Sequence, residues 1–349
     1  MRILGWPFLA RRSRLCAGVY LSQSAVAIAA EGPAAERIRC AAAPLDGDAA
    51  PDRVLKALCA ELGIRAARAT LVLPPESYHL LLVEQPNVAA ADLRDAVRWR
   101  IQEFIDFPAE SAVLEVFPFP SSAIRGRAPM VFVVAIARVR LAAAVETVAR
   151  AGLEPAAVDI AELALRNLAM RAYPSPEHSI ALLRITASSG IVNVTRGDEL
   201  FLSRRIAGVP KSLDGDAWDA FKDALLLQVQ RSIDYYESGL SQPPATALLV
   251  AATHGWQERI VAHLSAMLPL PVRSLAQVLD DELRLDLFNP GPVTRSAAGL
   301  GDAETRAIAA ASPALGGLLR AQLEPSSGRS GSASTSRDAR AAGPREAAA

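Results

Sequence analysis

The sequence predicts an α/β fold of two similar lobes. Three observations support this. A β-β-β-α run opens the chain and recurs in its second half. Two prolines one residue apart, Pro174 and Pro176, separate the copies and forbid a continuous helix between them. The 349 residues, 51% of them hydrophobic, suffice for two ordinary cores, since domains usually run about 100–200 residues.

Residues 15–21, 25–30 and 38–43 read as three short strands broken by Ser and Gly/Pro turns, and 52–62 as a helix closed by Gly63. Strands at 69–73 and 78–83 follow. A helix after Pro86-Asn87 is expected to bury Leu93, Val97, Ile101, Phe104 and Ile105 on one face, with Asp92, Arg94, Asp95, Arg98 and Glu103 on the other. Strands at 113–119 and 130–137, a helix at 141–151, a short strand at 158–160 and a helix at 161–172 complete the first half. After the hinge at 173–176, strands at 179–185, 190–195 and 200–206 repeat the opening, with Arg196-Gly197-Asp198 as a hairpin turn. A long helix is expected at 216–239, with Trp218, Phe221, Leu225, Val229, Ile233 and Tyr236 at helical spacing. The rest reads as a strand at 246–251, a helix at 256–267, a strand at 272–275 and a helix at 304–323 that Pro313 should kink or divide. From about residue 325 the Ser/Gly/Arg/Ala composition cannot bury a core and predicts disorder.

Several function classes are disfavoured by composition. Basic and acidic residues balance at 37 each, so no long-range field gathers nucleic acid or an anionic surface. Three cysteines, Cys16, Cys40 and Cys59, suit neither a disulfide framework nor a zinc site and point to a reducing compartment. Residues 1–13 form an apolar tail that meets Arg11 and Arg12 where a signal peptide would have its cleavage site. No uncharged run approaches the ~18–20 residues that span a bilayer, so a soluble protein is expected. His79, His178, His254 and His263 are scattered without metal-ligand spacing, and Ser188-Ser189-Gly190 lacks the glycines of a nucleophile elbow.

Three segments carry a family resemblance. QVQRSIDYYES at 228–238 resembles the second-lobe helix of PilM-type pilus proteins, especially the MshI proteins of the mannose-sensitive haemagglutinin (MSHA) pilus. AGLEP at 151–155 with VDIAELALRNL at 158–168 is similar to that family's close of the first lobe. LPPESYHL at 73–80, VEQPN at 83–87 and AVRW at 96–99 complete the match, which covers residues 14–322. The resemblance implies a two-lobed actin-like (ribonuclease H-like, actin/hexokinase/Hsp70) fold. It divides the chain into a first lobe at 14–173 with an inserted subdomain at about 75–127, and a second lobe at 177–323. The second lobe would include a helical subdomain at about 211–244 and a terminal helix at 304–323 packing back.

Nucleotide-binding proteins of this fold place an Asp-x-Gly turn between the first two strands of each lobe, the Asp for magnesium and the Gly for close backbone approach to phosphate. Here GVYLSQS at 18–24 puts Tyr20 and Ser22 at those positions, and LRITAS at 183–188 puts Arg184 and Thr186 there. The adenosine loop, usually a Gly-Gly pair, reads AATHGW at 251–256, so that Thr253 obstructs and only Gly255 remains. No catalytic residue, metal site or cofactor is therefore expected. Metal-free nucleotide pairing with Arg184 is the secondary reading, and a sugar-kinase-like enzyme has no anchor at these positions.

The resemblance implies a binding role at the cytoplasmic face of the inner membrane. The expected partner is the cytoplasmic tail of a PilN-type inner-membrane protein, together with other pilus-assembly components. A groove for that tail is expected near Tyr78, Leu80, Leu82, Val97, Trp99 and Ile101, where apolar anchors would combine with strand-edge hydrogen bonds. The alternative within the same machinery is an ATP-binding actin-like switch.

Overall fold

The apolar runs of the first half build one sheet and those of the second half build another with the same plan. A computed structural model describes residues 15–31, 38–45, 47–124, 126, 128–187, 189–210, 216–253, 255–283, 285–287 and 302–323. The tails expected at 1–13 and 325–349, and the start of the helical unit expected from 211, lie outside these residues.

In the first lobe β1 (Cys16–Leu21), β2 (Ala25–Glu31) and β3 (Ile38–Pro44) form an antiparallel meander. Helix α1 (Pro51–Glu61) then brings β4 (Arg68–Leu73) back parallel to β1. The insertion follows: β5 (His79–Glu84), α2 (Leu93–Arg100), β6 (Ala112–Pro118) and β7 (Met130–Ala137). Helix α3 (Arg138–Arg150), β8 (Glu154–Ile160), parallel to β4, and α4 (Ala161–Ala172) close the lobe. The second lobe repeats this with β9 (Ser179–Ile185), β10 (Gly190–Arg196), β11 (Glu199–Ile206), α5 (Asp216–Asp234), β12 (Ala247–Ala252), α6 (Gln257–Met267) and β13 (Val272–Ser274). Helix α7 (Leu275–Leu283), β14 (Leu285–Leu287) and α8 (Asp302–Leu323) end the described chain. The orders β3-β2-β1-β4-β8 and β11-β10-β9-β12-β13 are the same, so β1 corresponds to β9 and β4 to β12.

The structure corrects the sequence reading at five places. The insertion does not end near residue 127, because β7 is the central strand of its sheet, order β5-β7-β6, and the unit runs on to Ala137. Helix α2 stops at Arg100. The tighter 3₁₀ turn Gln102–Phe104 that follows changes the angular register, leaving Phe104 60% exposed instead of packed. The long helix of the second lobe ends at Asp234 and continues as a π-helical turn, Tyr235–Gly239. Helix α7 and strand β14 were not expected, and β14 leaves the second lobe to pair in parallel with β3 of the first. Finally, α8 is not divided at Pro313. The Ala309 carbonyl, which a residue other than proline would serve with its N–H, accepts the Ser312 hydroxyl at 2.8 Å instead.

Each sheet is covered outside by its own helices. Leu55, Leu58, Val145 and Val148 of α1 and α3 pack on the first sheet, and Leu225, Val229, Ile260 and Leu264 of α5 and α6 pack on the second. The inner faces share one core, in which α4, α7 and α8 lie between Tyr20, Ala29 and Val72 of one lobe and Ile180, Leu182 and Leu249 of the other. That core is dense because α8 approaches its neighbours backbone to backbone. A Cβ on Gly18 would lie 1.8 Å from the Ala314 oxygen, and one on Gly316 would lie 1.9 Å from the Ala164 oxygen. The Asn167 amide donates to the Gly316 carbonyl at 3.0 Å and fixes the same crossing.

Helix propensity alone would make Gly316→Ala stabilising by about 1 kcal/mol. The backbone clash reverses the sign, since overpacking costs about 1–3 kcal/mol or more. The urea midpoint of the variant is expected to fall, and an unchanged or raised midpoint would show that the helices are not held in this contact.

Candidate functional site

Equivalent strands bring equivalent positions face to face between the lobes. Tyr20 near the end of β1 and Arg184 near the end of β9 are 3% and 5% exposed. The Arg184 guanidinium lies over the Tyr20 ring, 5.1 Å from its centroid, and its Nε donates to the Ser312 hydroxyl of α8 at 3.2 Å. Burial pushes the Tyr20 phenol up, and the nearby guanidinium partly opposes this. The ends of the two equivalent strands thus meet through a cation stacked on an aromatic face, an attraction that desolvation strengthens.

The turns beyond them are closed as well. The Ser22 hydroxyl accepts the Ala25 N–H and donates to the Ala25 carbonyl, both at 3.0 Å. In the second lobe Thr186 Oγ1 makes the same pair with Ser189, accepting its N–H and donating to its carbonyl, each at 3.1 Å. Hydroxyl side chains therefore hold amides that a glycine turn would offer to an anion. Thr253 is buried and donates its N–H to the Ile185 carbonyl at 3.0 Å. Gly255 occupies an exposed turn with φ +72° beside Arg306. Gly18 faces the backbone of α8, and the Arg184 guanidinium is held between the Tyr20 ring and the Ser312 hydroxyl.

A second buried polar group lies beside the first. The Tyr78 hydroxyl donates to Glu162 Oε2 and accepts the Ala161 N–H at 3.2 Å. The Glu162 carbonyl accepts the Asn193 amide of the second lobe at 3.2 Å, and the Arg205 guanidinium donates to the Pro75 carbonyl. Burial holds the Glu162 carboxyl above its ordinary value, outweighing the Tyr78 hydrogen bond, and it drives the Tyr78 phenol higher still.

The six residues expected to form a groove do not share a surface. Tyr78 is sealed in the first-lobe core, its hydroxyl on α4. Leu80 is half-buried against both lobe cores, and Leu82, 41% exposed, follows on the same face of the insertion's sheet. Val97 of α2 and Ile101 just beyond it pack on the opposite face, against Val131 and Val133. Trp99 points outward and is 59% exposed. Strand alternation explains the split, since neighbouring residues of β5 face opposite ways.

An apolar cleft does exist one strand away. It runs between the edge strand β6 of the insertion and the edge strand β8 of the first lobe, lined by Val113, Phe117, Ile160, Leu163 and Arg320, with a cavity volume of about 50 Å³. The β8 edge is capped by side chains. Asp159 accepts the Ile160 N–H at 2.9 Å, and Arg320 reaches the Val158 carbonyl at 3.3 Å and the Asp159 carboxylate at 3.2 Å. On β6, Arg98 caps Ala112 at 3.0 Å, and β7 is the strand's one partner among the described residues. Asp159, Ile160 and Leu163 lie in a family-like segment, but the sequence assigns none of these residues a binding role. The one available signal was Gly316-Gly317 inside a helical pattern, which marks a close approach.

Other features carry no chemistry among the described residues. No group of three or more His, Cys, Asp or Glu side chains is placed to hold a metal, and no helix is long and apolar enough to cross a membrane. The Arg196-Gly197-Asp198 turn packs on Pro176, and the Asp198 carbonyl accepts Arg166 at 2.9 Å.

No protein-family model and no curated protein matches the sequence. Solved structures do match. A chain of the PilM-PilN type IV pilus biogenesis complex is 21% identical, covers 89% of this chain and 99% of its own, and superposes with a TM-score of 0.59. The cytoplasmic domain of EpsL, an inner-membrane component of the type II secretion system of Vibrio cholerae, is 16% identical over 79% of this chain and 97% of its own, with a TM-score of 0.44. A Bacteroides thetaiotaomicron protein with an actin-like ATPase fold and unknown function is 9% identical over 74% and 90%, with a TM-score of 0.46. The chain has the two-lobed actin-like α/β fold.

Because burial raises the Glu162 pKa above 4.5, the folded protein binds that proton more tightly than the unfolded chain. Stability should therefore fall as pH rises from 4.5 through the folded pKa. Glu162→Gln lacks this titration, so its urea midpoint relative to the parent is expected to rise across the same window. A difference that stays constant with pH would refute the assignment.

Proposed function

We propose that the chain is a non-catalytic, cytoplasmic actin-like scaffold of type IV pilus assembly, of the MSHA kind or in a related type II secretion machine. It lies at the inner membrane through its partner, the cytoplasmic tail of a PilN-type inner-membrane protein. The observation that carries the non-catalytic part is the Tyr20–Arg184–Ser312 contact, which occupies the place of the metal and phosphates with neutral and cationic side chains. Opening it would strand a buried guanidinium, and burying an unpaired charge is costly.

The docking site favoured by the geometry is the cleft between β6 and β8. An extended tail there gains apolar contacts with Val113, Phe117 and Leu163 and can add to the β6 edge, the mode of recognition that exposed strand edges support. The complex from which the similar structure comes, PilM with PilN, motivates the choice of partner.

Calorimetry with ATP is expected to show no binding, with or without magnesium, and tight magnesium-dependent binding would reject the scaffold reading. A synthetic tail of the PilN-type protein from the same genome should bind with micromolar affinity, about −8 kcal/mol. Val113→Asp should weaken it by about tenfold or more, a loss of about 1.4 kcal/mol, whereas Trp99→Ser should leave it unchanged. Equal affinity for the parent and Val113→Asp would move the site elsewhere.

A further inference from the structure

The insertion does not simply sit on the first lobe. One face of its sheet is closed by α2, and the other is shared between both lobes. Phe119, Ala123 and Phe132, all buried, belong to the same core as Phe201, Ile233, Tyr236 and Leu240 of the second lobe. Gln242, just beyond the π-helical turn, donates to the Ser122 carbonyl at 3.1 Å and to the Leu240 carbonyl at 2.8 Å. The loop between β6 and β7 is thereby fastened into the second lobe by apolar and polar contacts.

Two sets of ring contacts, joined through one apolar core, link this fastening to the cleft. Phe117 lines the cleft and is half-buried; it stacks on Phe132 with centroids 5.1 Å apart and planes 28° apart. Phe132 meets Phe119 at 5.5 Å. Phe201, in the same core, meets Tyr236 edge-on at 5.3 Å, and the Tyr236 hydroxyl lies 2.6 Å from that of Ser179, at the start of β9. In an empty cleft the exposed side of Phe117 has no packing partner. An occupant supplies one and reduces the freedom of the ring, and tightening at one end of a packed set favours tightening of the rest.

We infer that the insertion couples the β6–β8 cleft to the second lobe, so that a peptide seated against Phe117 stabilises α5 and the turn Tyr235–Gly239. This regulation rests on the docking reading above. It also makes the link reciprocal, since whatever loosens the second lobe must weaken peptide binding by the same factor.

Hydrogen exchange on the full chain tests this, with the synthetic PilN-type tail as the probe. Saturating peptide is expected to slow exchange in 216–239 by about fivefold or more, the lower end of ordinary coupling between sites. Phe132→Leu, whose side chain does not line the cleft, should still bind the peptide, with affinity lowered by the same factor by which the slowing in the second lobe is reduced. Phe119→Leu tests the next step and serves if the first variant folds poorly. Binding without slowing in the parent, or slowing that persists fully in both variants, overturns the coupling and leaves the docking site intact. A peptide that does not bind at all overturns the docking reading, and the coupling with it.

Discussion

The closest constraint in the molecule is the contact of α8 with β1 and α4, made backbone to backbone where Gly18 and Gly316 have no side chain. A single methyl at either position would overlap a carbonyl oxygen. Because the helix lies so deep, its Ser312 reaches Arg184, its Arg320 reaches Asp159, and its leucines fill the core between the lobes. The sealed interlobe site and the capped wall of the cleft are therefore served by one helix, from Ser312 and Arg320 about 12 Å apart along it.

The residues at corresponding points of the two lobes form a consistent set. Lobes built on one plan carry an aromatic on β1 that faces a guanidinium on β9, and a hydroxyl in each following turn. Tyr20 offers Arg184 a π-face, and Ser22 and Thr186 hold hydrogen-bonding groups of their own turns. Desolvation that would penalise an isolated cation is offset by these neighbours.

Much of the fold was legible because it rests on local signals. The two meanders, α4 and the link between the lobes follow from apolar runs and prolines. What was not legible depends on distant partners. Whether Val97 faces a groove or a private core is decided by β7, more than thirty residues later. The depth of Tyr78 is set by Glu162 and the first-lobe core, and the cleft exists only because β6 and β8 come together as edges. Phe104 shows the cost of extending a period of 3.6 through a 3₁₀ turn, and Pro313 shows that one hydroxyl can rescue a helix that composition would break.

Strand β14 has a consequence for biosynthesis. Its partner β3 lies at residues 38–44 while β14 itself spans 285–287, so the outer edge of the first sheet stays uncovered until most of the polypeptide has left the ribosome. The same delay applies to α8, without which Gly18 and Val72 face solvent. The lobes, alike in plan, are therefore unequal in assembly: the one made first must wait for α8, a non-local closure of the kind that slows folding and leaves an edge open to mispairing.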